Sequence, residues 1–542
     1  MRRPLRPLEL VLAFLLVTGG GWLRLHHLGA PSLWWDELVH IRTADADSVG
    51  ALWHEVRDGV APGTGNAAAV PLDYLVLHAW LRTTARPEPA RLERYYRAPS
   101  AVLSCAALPA MWLVARSVGG PVVGIVALAL LATSMPHVLY AAEARFYSLY
   151  VLMTIANLGA FVRVVRGPDR PGRWALFAVV NVAYVMSGLY GLFPIVAECA
   201  VLAVELLRRW RRGEGAGPFV AFLASSVALA AVVLAYLAPG AITTVYPRGA
   251  PVWLHPFGAL TGTIDFFASS SLPFAFALGL AVPIALVVAR DRTTAPLLAV
   301  IALAIAAVPL IVTIAQWKRY YYHPRHAIFL LPMLHLASGL ALAGLLERLA
   351  IRRAPALLAG AVLALAPGVS RVQAYVANPI PFFQQTKTYR DFAGLTRRLA
   401  GSVAGFPPDE TLLLLAERNR PGHLANPVLD FYLEAYGIAD RVALRGFTDV
   451  PGTLRRVART CGTTNCRRDV APMAFAKVLG IEDPFDQLPI VRRLLGLRVP
   501  PWRPGPLGGL GVIVWAEHAP PAAPPGFKRT ALDGLALFEP GR

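Results

Sequence analysis

Apolar residues run through this chain in blocks of about twenty, separated by short polar segments. A helix rises about 1.5 Å per residue, so a run of that length matches the hydrocarbon thickness of a bilayer. Such runs lie near residues 8–23, 98–115, 121–140, 148–165, 174–190, 191–207, 218–238, 272–290, 295–315, 327–346 and 354–370, which predicts about eleven transmembrane helices. The first run follows Arg2, Arg3 and Arg6 as the apolar region of a signal peptide would. No small-residue cleavage site follows it, so it is read as an uncleaved span whose Trp22-Leu23-Arg24 anchors at the interface.

Beyond residue 370 the pattern changes. Short apolar stretches at 411–415 and 511–515 alternate with turn-rich polar segments, and helical periodicity appears at 389–400 and 427–436. The expected fold class is therefore mainly α: a polytopic membrane module over 1–370, with a first exterior loop at 24–97, followed by a small α/β domain over 371–542. Composition agrees, with 56% hydrophobic and only 16% charged residues and a mean hydropathy of +0.51, figures that exclude a disordered chain and a water-soluble one.

The formal charge of +19 raises nucleic acid as a partner, so the position of the basic residues decides. They fall between alternate apolar runs: Arg116, then Arg163 to Arg173, then Arg208 to Arg212, then Arg290 and Arg292, then Arg348 to Arg353. Lys and Arg resist translocation, so this alternation places the N-terminus in the cytoplasm and implies membrane lipid rather than nucleic acid as the partner. An odd number of spans then puts the tail outside, together with 24–97, 141–147, 239–271 and 316–326, and the expected location is the inner (plasma) membrane of a bacterium. Cys461 and Cys466 lie in that tail, spaced to close a small disulfide loop or to remain two thiols, whereas Cys105 and Cys199 fall inside spans as small core residues.

Polar density concentrates on the exterior side in three clusters. The first loop reads Leu33-Trp34-Trp35-Asp36-Glu37-Leu38-Val39-His40. Its carboxylate pair can supply a general base with a neighbour that orients it, or can simply cap a short helix. The second cluster, Tyr140 to Ser148, holds Glu143, Arg145 and Tyr147; Arg145 can clamp a phosphate with two parallel hydrogen bonds or pair with Glu143. The third runs Lys318-Arg319-Tyr320-Tyr321-Tyr322-His323-Pro324-Arg325-His326. Basic residues on the exterior side run against the orientation rule, and recognition of an anionic lipid head by Lys318, Arg319, Tyr322, Arg325 and His326 supplies the local reason. Together these parts outline a transferase that uses a lipid-linked donor.

These stretches resemble the GT-C class of integral-membrane glycosyltransferases, in particular the protein O-mannosyltransferase and aminoarabinose-transferase group. The resemblance covers roughly residues 8–346. Trp34-Trp35-Asp36-Glu37 is similar to the family's first-loop motif, and Arg97-Ala98-Pro99-Ser100 to its R-x-P-S opening. Glu143-Ala144-Arg145-Phe146-Tyr147 is similar to its E-A-R-M-Y signature, and Pro324-Arg325-His326 with Pro332 to a late P-R-Y…P motif. The resemblance implies that Asp36 is the catalytic base, that Glu37 supports it, that Arg145 contacts the donor phosphate, and that a polyprenyl-phosphate sugar is transferred with inversion. The chain departs from the family pattern at Val70-Pro71-Leu72-Asp73-Tyr74 and at His326.

The acceptor hydroxyl can belong to a lipid, a glycan or a protein. A divalent metal is a further candidate, because Asp36, Glu37 and His40 form D-E-x-x-H. Two other readings share the exterior basic loops: a transporter or flippase of a lipid-linked sugar, and an inactive relative that serves as a binding scaffold.

Overall fold

A computed structural model of the chain describes residues 7–58, 71–237, 256–269, 271–288, 294–317, 323–386, 392–404, 412–417, 427–447, 512–516, 527–532 and 535–540. The chain divides into two units. The first comprises Met1–Leu28, Val39–Arg86 and Arg94–Pro379, and the second Gly29–Leu38, Pro87–Glu93 and Ile380–Arg542.

The helices in chain order are α1 Pro7–His26, α2 Trp35–Ala44, α3 Val49–Asp58, α4 Pro71–Thr83, α5 Leu92–Gly119, α6 Pro121–Thr133, α7 Met135–Ala141, α8 Tyr147–Val165, α9 Pro171–Ser187 and α10 Leu192–Arg211. They continue as α11 Gly217–Leu237, α12 Pro256–Phe267, α13 Leu272–Val288, α14 Thr294–Trp317, α15 Leu330–Arg348, α16 Arg353–Leu365, α17 Val369–Ala377, α18 Ile380–Thr386, α19 Phe392–Val403 and α20 Pro427–Ala435. Among the described residues seven helices are long and apolar enough to cross a membrane, and ten spans result when each of three bent pairs is one crossing. This is an integral membrane protein. The run expected at 174–190 forms α9, whose 17 residues stand at the lower limit of the length that crosses a bilayer.

In the first unit α6 is the hub, packed by α1, α15 and α16. Ten consecutive residues, Val123 to Ala132, are buried, and an apolar surface on every side is what a helix enclosed by other helices requires. Lipid removes the hydrophobic drive for helix association, so close packing over small residues takes its place. A Cβ on Gly339 would stand 3.0 Å from the Val123 carbonyl oxygen, and one on Gly360 2.9 Å from Val126 Cγ2. The sequence reading of Arg24 as an interface anchor is corrected here: Arg24 is fully buried, while Trp22 remains 48% exposed and stacks on His26.

The second unit carries α18 to α20 and a five-stranded sheet of β1 Leu412–Glu417, β2 Val442–Phe447, β3 Val512–Ala516, β4 Phe527–Leu532 and β5 Leu535–Pro540. The order is β2-β1-β3-β5-β4. β1 runs parallel to both β2 and β3, pairing Leu414 with Leu444 and with Ile513, and β5 closes an antiparallel hairpin with β4. The same unit includes the first-loop residues 29–38. Ala393 N, one of the orphan donors in the first turn of α19, donates to Ser32 Oγ at 3.0 Å. Cys461 and Cys466 lie outside the described residues.

Candidate active site

The second and third sequence clusters meet in the first unit. α7 ends at Ala141, and a tight turn follows in which Arg145 N donates to Glu143 O at 2.8 Å before α8 begins at Tyr147. Two serines fix this turn. Ser148 Oγ donates to Tyr140 O, and Ser100 Oγ donates to Arg145 O, each at 3.3 Å. Ser100 belongs to the R-x-P-S stretch of α5, whose Arg97 is fully buried and donates through Nη1 to Leu28 O at 3.2 Å. The motif thus holds the chain just past α1 with one residue and the Arg145 backbone with another. The Arg145 guanidinium carbon lies 5.8 Å from the Phe146 ring and 5.9 Å from the Tyr147 ring, cation–π distances that steady its charge.

Facing it is a 3-10 turn, Pro324–Ala327. His323 Nδ1 accepts from Arg325 N at 3.2 Å and His326 Nδ1 accepts from His323 N at 3.3 Å, a reciprocal cap made by two imidazoles. An accepting Nδ1 carries no proton, so both rings are the Nε2–H tautomer. Burial and then the Arg325 charge push His323 down to about 4. Burial, followed by Arg325, His323 and Arg145, holds His326 well below the usual histidine range. Burial opposes the Arg325 charge too, yet Tyr147, Tyr140 and Glu143 outweigh it and raise Arg325 above its ordinary value, with Arg145 opposing. Arg145 and Arg325 are both half-buried near Glu143, and guanidiniums so placed can bind an anionic group.

Aromatic rings wall this cluster. Tyr190 stacks on His326 at 5.5 Å and 12°, and Phe266 meets His323 edge-on at 6.0 Å and Tyr140 at 6.4 Å. Tyr190 and Phe266 have no role in the sequence reading. The available signal is Gly188 beside Tyr190, where a Cβ would stand 2.7 Å from the Tyr150 ring, so only glycine lets the two meet. Lys318, Arg319 and Tyr322 lie outside the described residues.

The carboxylate pair belongs to the 29–38 stretch of the second unit. Trp34 is the residue before α2, and its N–H donates to Glu37 Oε2 at 3.2 Å, the returning half of a capping box. Glu37 is fully buried by this duty, while Asp36 is half-buried with its neighbour Trp35 43% exposed. Adjacent carboxylates thus differ in setting: Glu37 caps the helix start, and Asp36 is half-buried.

His40 does not join them as a ligand. Its Nε2 lies 2.7 Å from Asp73 Oδ2, and its ring packs 3.9 Å from Tyr74. Asp73, where the chain departs from the family pattern, is thus the partner of His40. Among the described residues no three His, Cys, Asp or Glu side chains gather to hold a metal, so Asp36, Glu37 and His40 do not fit one.

No family model and no curated protein matches the chain. Among solved structures it is similar to ArnT from Cupriavidus metallidurans bound to undecaprenyl phosphate, with 14% identity, 97% of each chain covered and a TM-score of 0.45. It is similar to the apo state of ArnT from the same organism at 14% identity, 97% coverage of each chain and a TM-score of 0.49. It is also similar to the oligosaccharyltransferase AglB from Archaeoglobus fulgidus in complex with an inhibitory peptide and a dolichol-phosphate, at 12% identity over 93% of this chain and 69% of that one, with a TM-score of 0.40.

Proposed function

We propose that the protein is a membrane glycosyltransferase that moves a sugar from a polyprenyl-phosphate donor to an acceptor hydroxyl, with inversion, on the extracytoplasmic face. The observation that carries this reading is the meeting of Arg145 and Arg325, drawn from segments 180 residues apart, around Glu143, Tyr140 and Tyr147. Such a half-buried cationic cluster suits a phosphate at the membrane boundary, and guanidiniums suit its geometry.

In this mechanism Asp36 takes the proton from the acceptor hydroxyl, and the hydroxyl oxygen attacks the anomeric carbon opposite the phosphate. The carbon–oxygen bond to phosphate breaks, and the electron pair leaves on a phosphate oxygen whose charge Arg145 and Arg325 stabilise. A phosphate is already a good leaving group, so no second acid is needed. Glu37 supports the base by holding the start of α2. The role of Asp36 rests on motif resemblance.

One observation favours the transporter reading. Asn157 Nδ2, on α8, donates to Asn181 Oδ1 on α9 at 2.6 Å and to Glu198 Oε2 on α10 at 3.0 Å, and all three are buried. Polarity is therefore not confined to one face, and carriers use such interior groups. Transfer assays separate the two. Purified Asp36→Asn should fail to transfer sugar from undecaprenyl-phosphate donors at wild-type abundance. Retained transfer would remove Asp36 as base, and a wild type that transfers from no donor but moves lipid-linked sugar across vesicles would establish the carrier.

A further inference from the structure

The guanidinium of Arg24 is fully buried in the first unit, and every one of its five N–H groups has an acceptor. Nε donates to Ser104 Oγ at 2.9 Å. Nη1 donates to Gly20 O at 2.6 Å and to Ala132 O at 3.1 Å. Nη2 donates to Leu131 O at 2.9 Å and to His137 Nδ1 at 2.7 Å. His137, accepting at Nδ1, keeps its proton on Nε2, which lies 3.2 Å from Ser104 Oγ.

Two of those acceptors exist because a helix stops. α6 and α7 meet at a 58° break, and Ser134 between them is extended, with φ −65° and ψ 107°. Carbonyls at the last turn of a helix lack partners along the chain and carry the negative end of its dipole. Leu131 O also accepts from Ser134 N at 3.3 Å; Arg24 reaches both carbonyls from α1 and supplies the charge opposite to the helix end. Approach of the two helices depends on Gly20, since a Cβ there would stand 3.0 Å from both Ala132 Cβ and Leu108 Cδ1.

On the far side of the break, His137 lies in the first turn of α7. Tyr140 follows three residues later and meets Phe266, which also touches His323 beside Arg325. Glu143 and Arg145 come directly after α7 ends.

We propose that Arg24 is a positioning residue: with His137 it brackets the α6–α7 break and so sets where Tyr140, Glu143 and Arg145 stand to receive the donor phosphate. The proposal rests on the phosphate-site reading above. A Lys at this position offers three donors without the planar fork and cannot span five acceptors on four helices.

The test uses purified full-length protein in detergent, with hydrogen–deuterium exchange over 134–147 and binding of undecaprenyl phosphate as separate readouts. Arg24→Lys should raise exchange in that segment and weaken undecaprenyl-phosphate binding by about tenfold, the scale on which supporting residues act. His137→Leu should do the same, whereas His137→Gln, which keeps an acceptor and a donor, should restore binding to within about threefold of wild type. Combining Arg24→Lys with His137→Leu should add little to either change alone. If Arg24→Lys does not fold, the Leu and Gln variants of His137 decide the matter. Wild-type exchange over 134–147 in the folded variants overturns the bracket, and raised exchange with wild-type binding overturns its positioning role. A wild type that does not bind undecaprenyl phosphate, with exchange changed as expected, instead defeats the phosphate-site reading.

Discussion

The phenol of Tyr432 accepts the Leu33 N–H at 2.8 Å and donates to Glu93 Oε1 at 2.8 Å, joining stretches 399 and 339 residues away in sequence. Leu33 lies three residues before Asp36, so the stretch leading to the acidic pair is held by α20. Tyr432→Phe removes both bonds from buried positions, and its expected cost is about 1–3 kcal/mol. A lower denaturation midpoint of the solubilised protein checks this, and an unchanged midpoint counts against the coupling.

Arg145 and Arg325 should resist conservative replacement. Lys keeps the charge but loses the planar pair of donors, so Arg145→Lys and Arg325→Lys should each lower kcat/KM for the polyprenyl-phosphate donor by about tenfold to a hundredfold, the span of a charge-assisted hydrogen bond. Steady-state kinetics with donor varied is the measurement. Wild-type kcat/KM in both variants would remove the phosphate from this cluster.

The imidazole cap on the Pro324–Ala327 turn makes a prediction with a definite sign. His323 titrates near 6.5 when unfolded and is pushed down to about 4 in the fold. Folding therefore favours its neutral form. The stability it contributes is fully present above pH 6.5 and is lost as pH falls toward 4, because a protonated Nδ1 cannot accept from Arg325 N. Thermal midpoints measured across pH 4 to 7 should fall below pH 6.5 in wild type, and less in His323→Asn, whose amide oxygen can accept at any of these values.

Asp36 and Glu37 should separate cleanly. Under the proposed mechanism Asp36→Asn is expected to abolish transfer. Glu37→Ala loses the bond from Trp34 N, which predicts about 1 kcal/mol of destabilisation. Glu37→Gln keeps an acceptor oxygen and should recover most of both activity and stability. Equal kinetic losses in Asp36→Asn and Glu37→Gln would show that the two carboxylates share the base role.

Hydropathy alone determined that this chain lives in a bilayer and where most of its helices lie, because crossing hydrocarbon demands a run of about 20 apolar residues that sequence displays directly. The apolar run at 121–140 is legible as a crossing. That it breaks at Ser134 is not, since an extended residue within an apolar run leaves no trace in hydropathy. Arg24 illustrates the same limit: beside Trp22 it reads as an interface anchor, and only packing through Gly20 reveals the carbonyls of Leu131 and Ala132 that draw it inward. Motif spacing singled out Arg145 and Arg325 separately, but their approach across 180 residues depends on how α7, α8 and α12 pack, as does the stacking of Tyr190 on His326. Periodicity along one dimension records which solvent a segment needs. The direction of a polar side chain is settled by acceptors that come into being only when distant backbones meet.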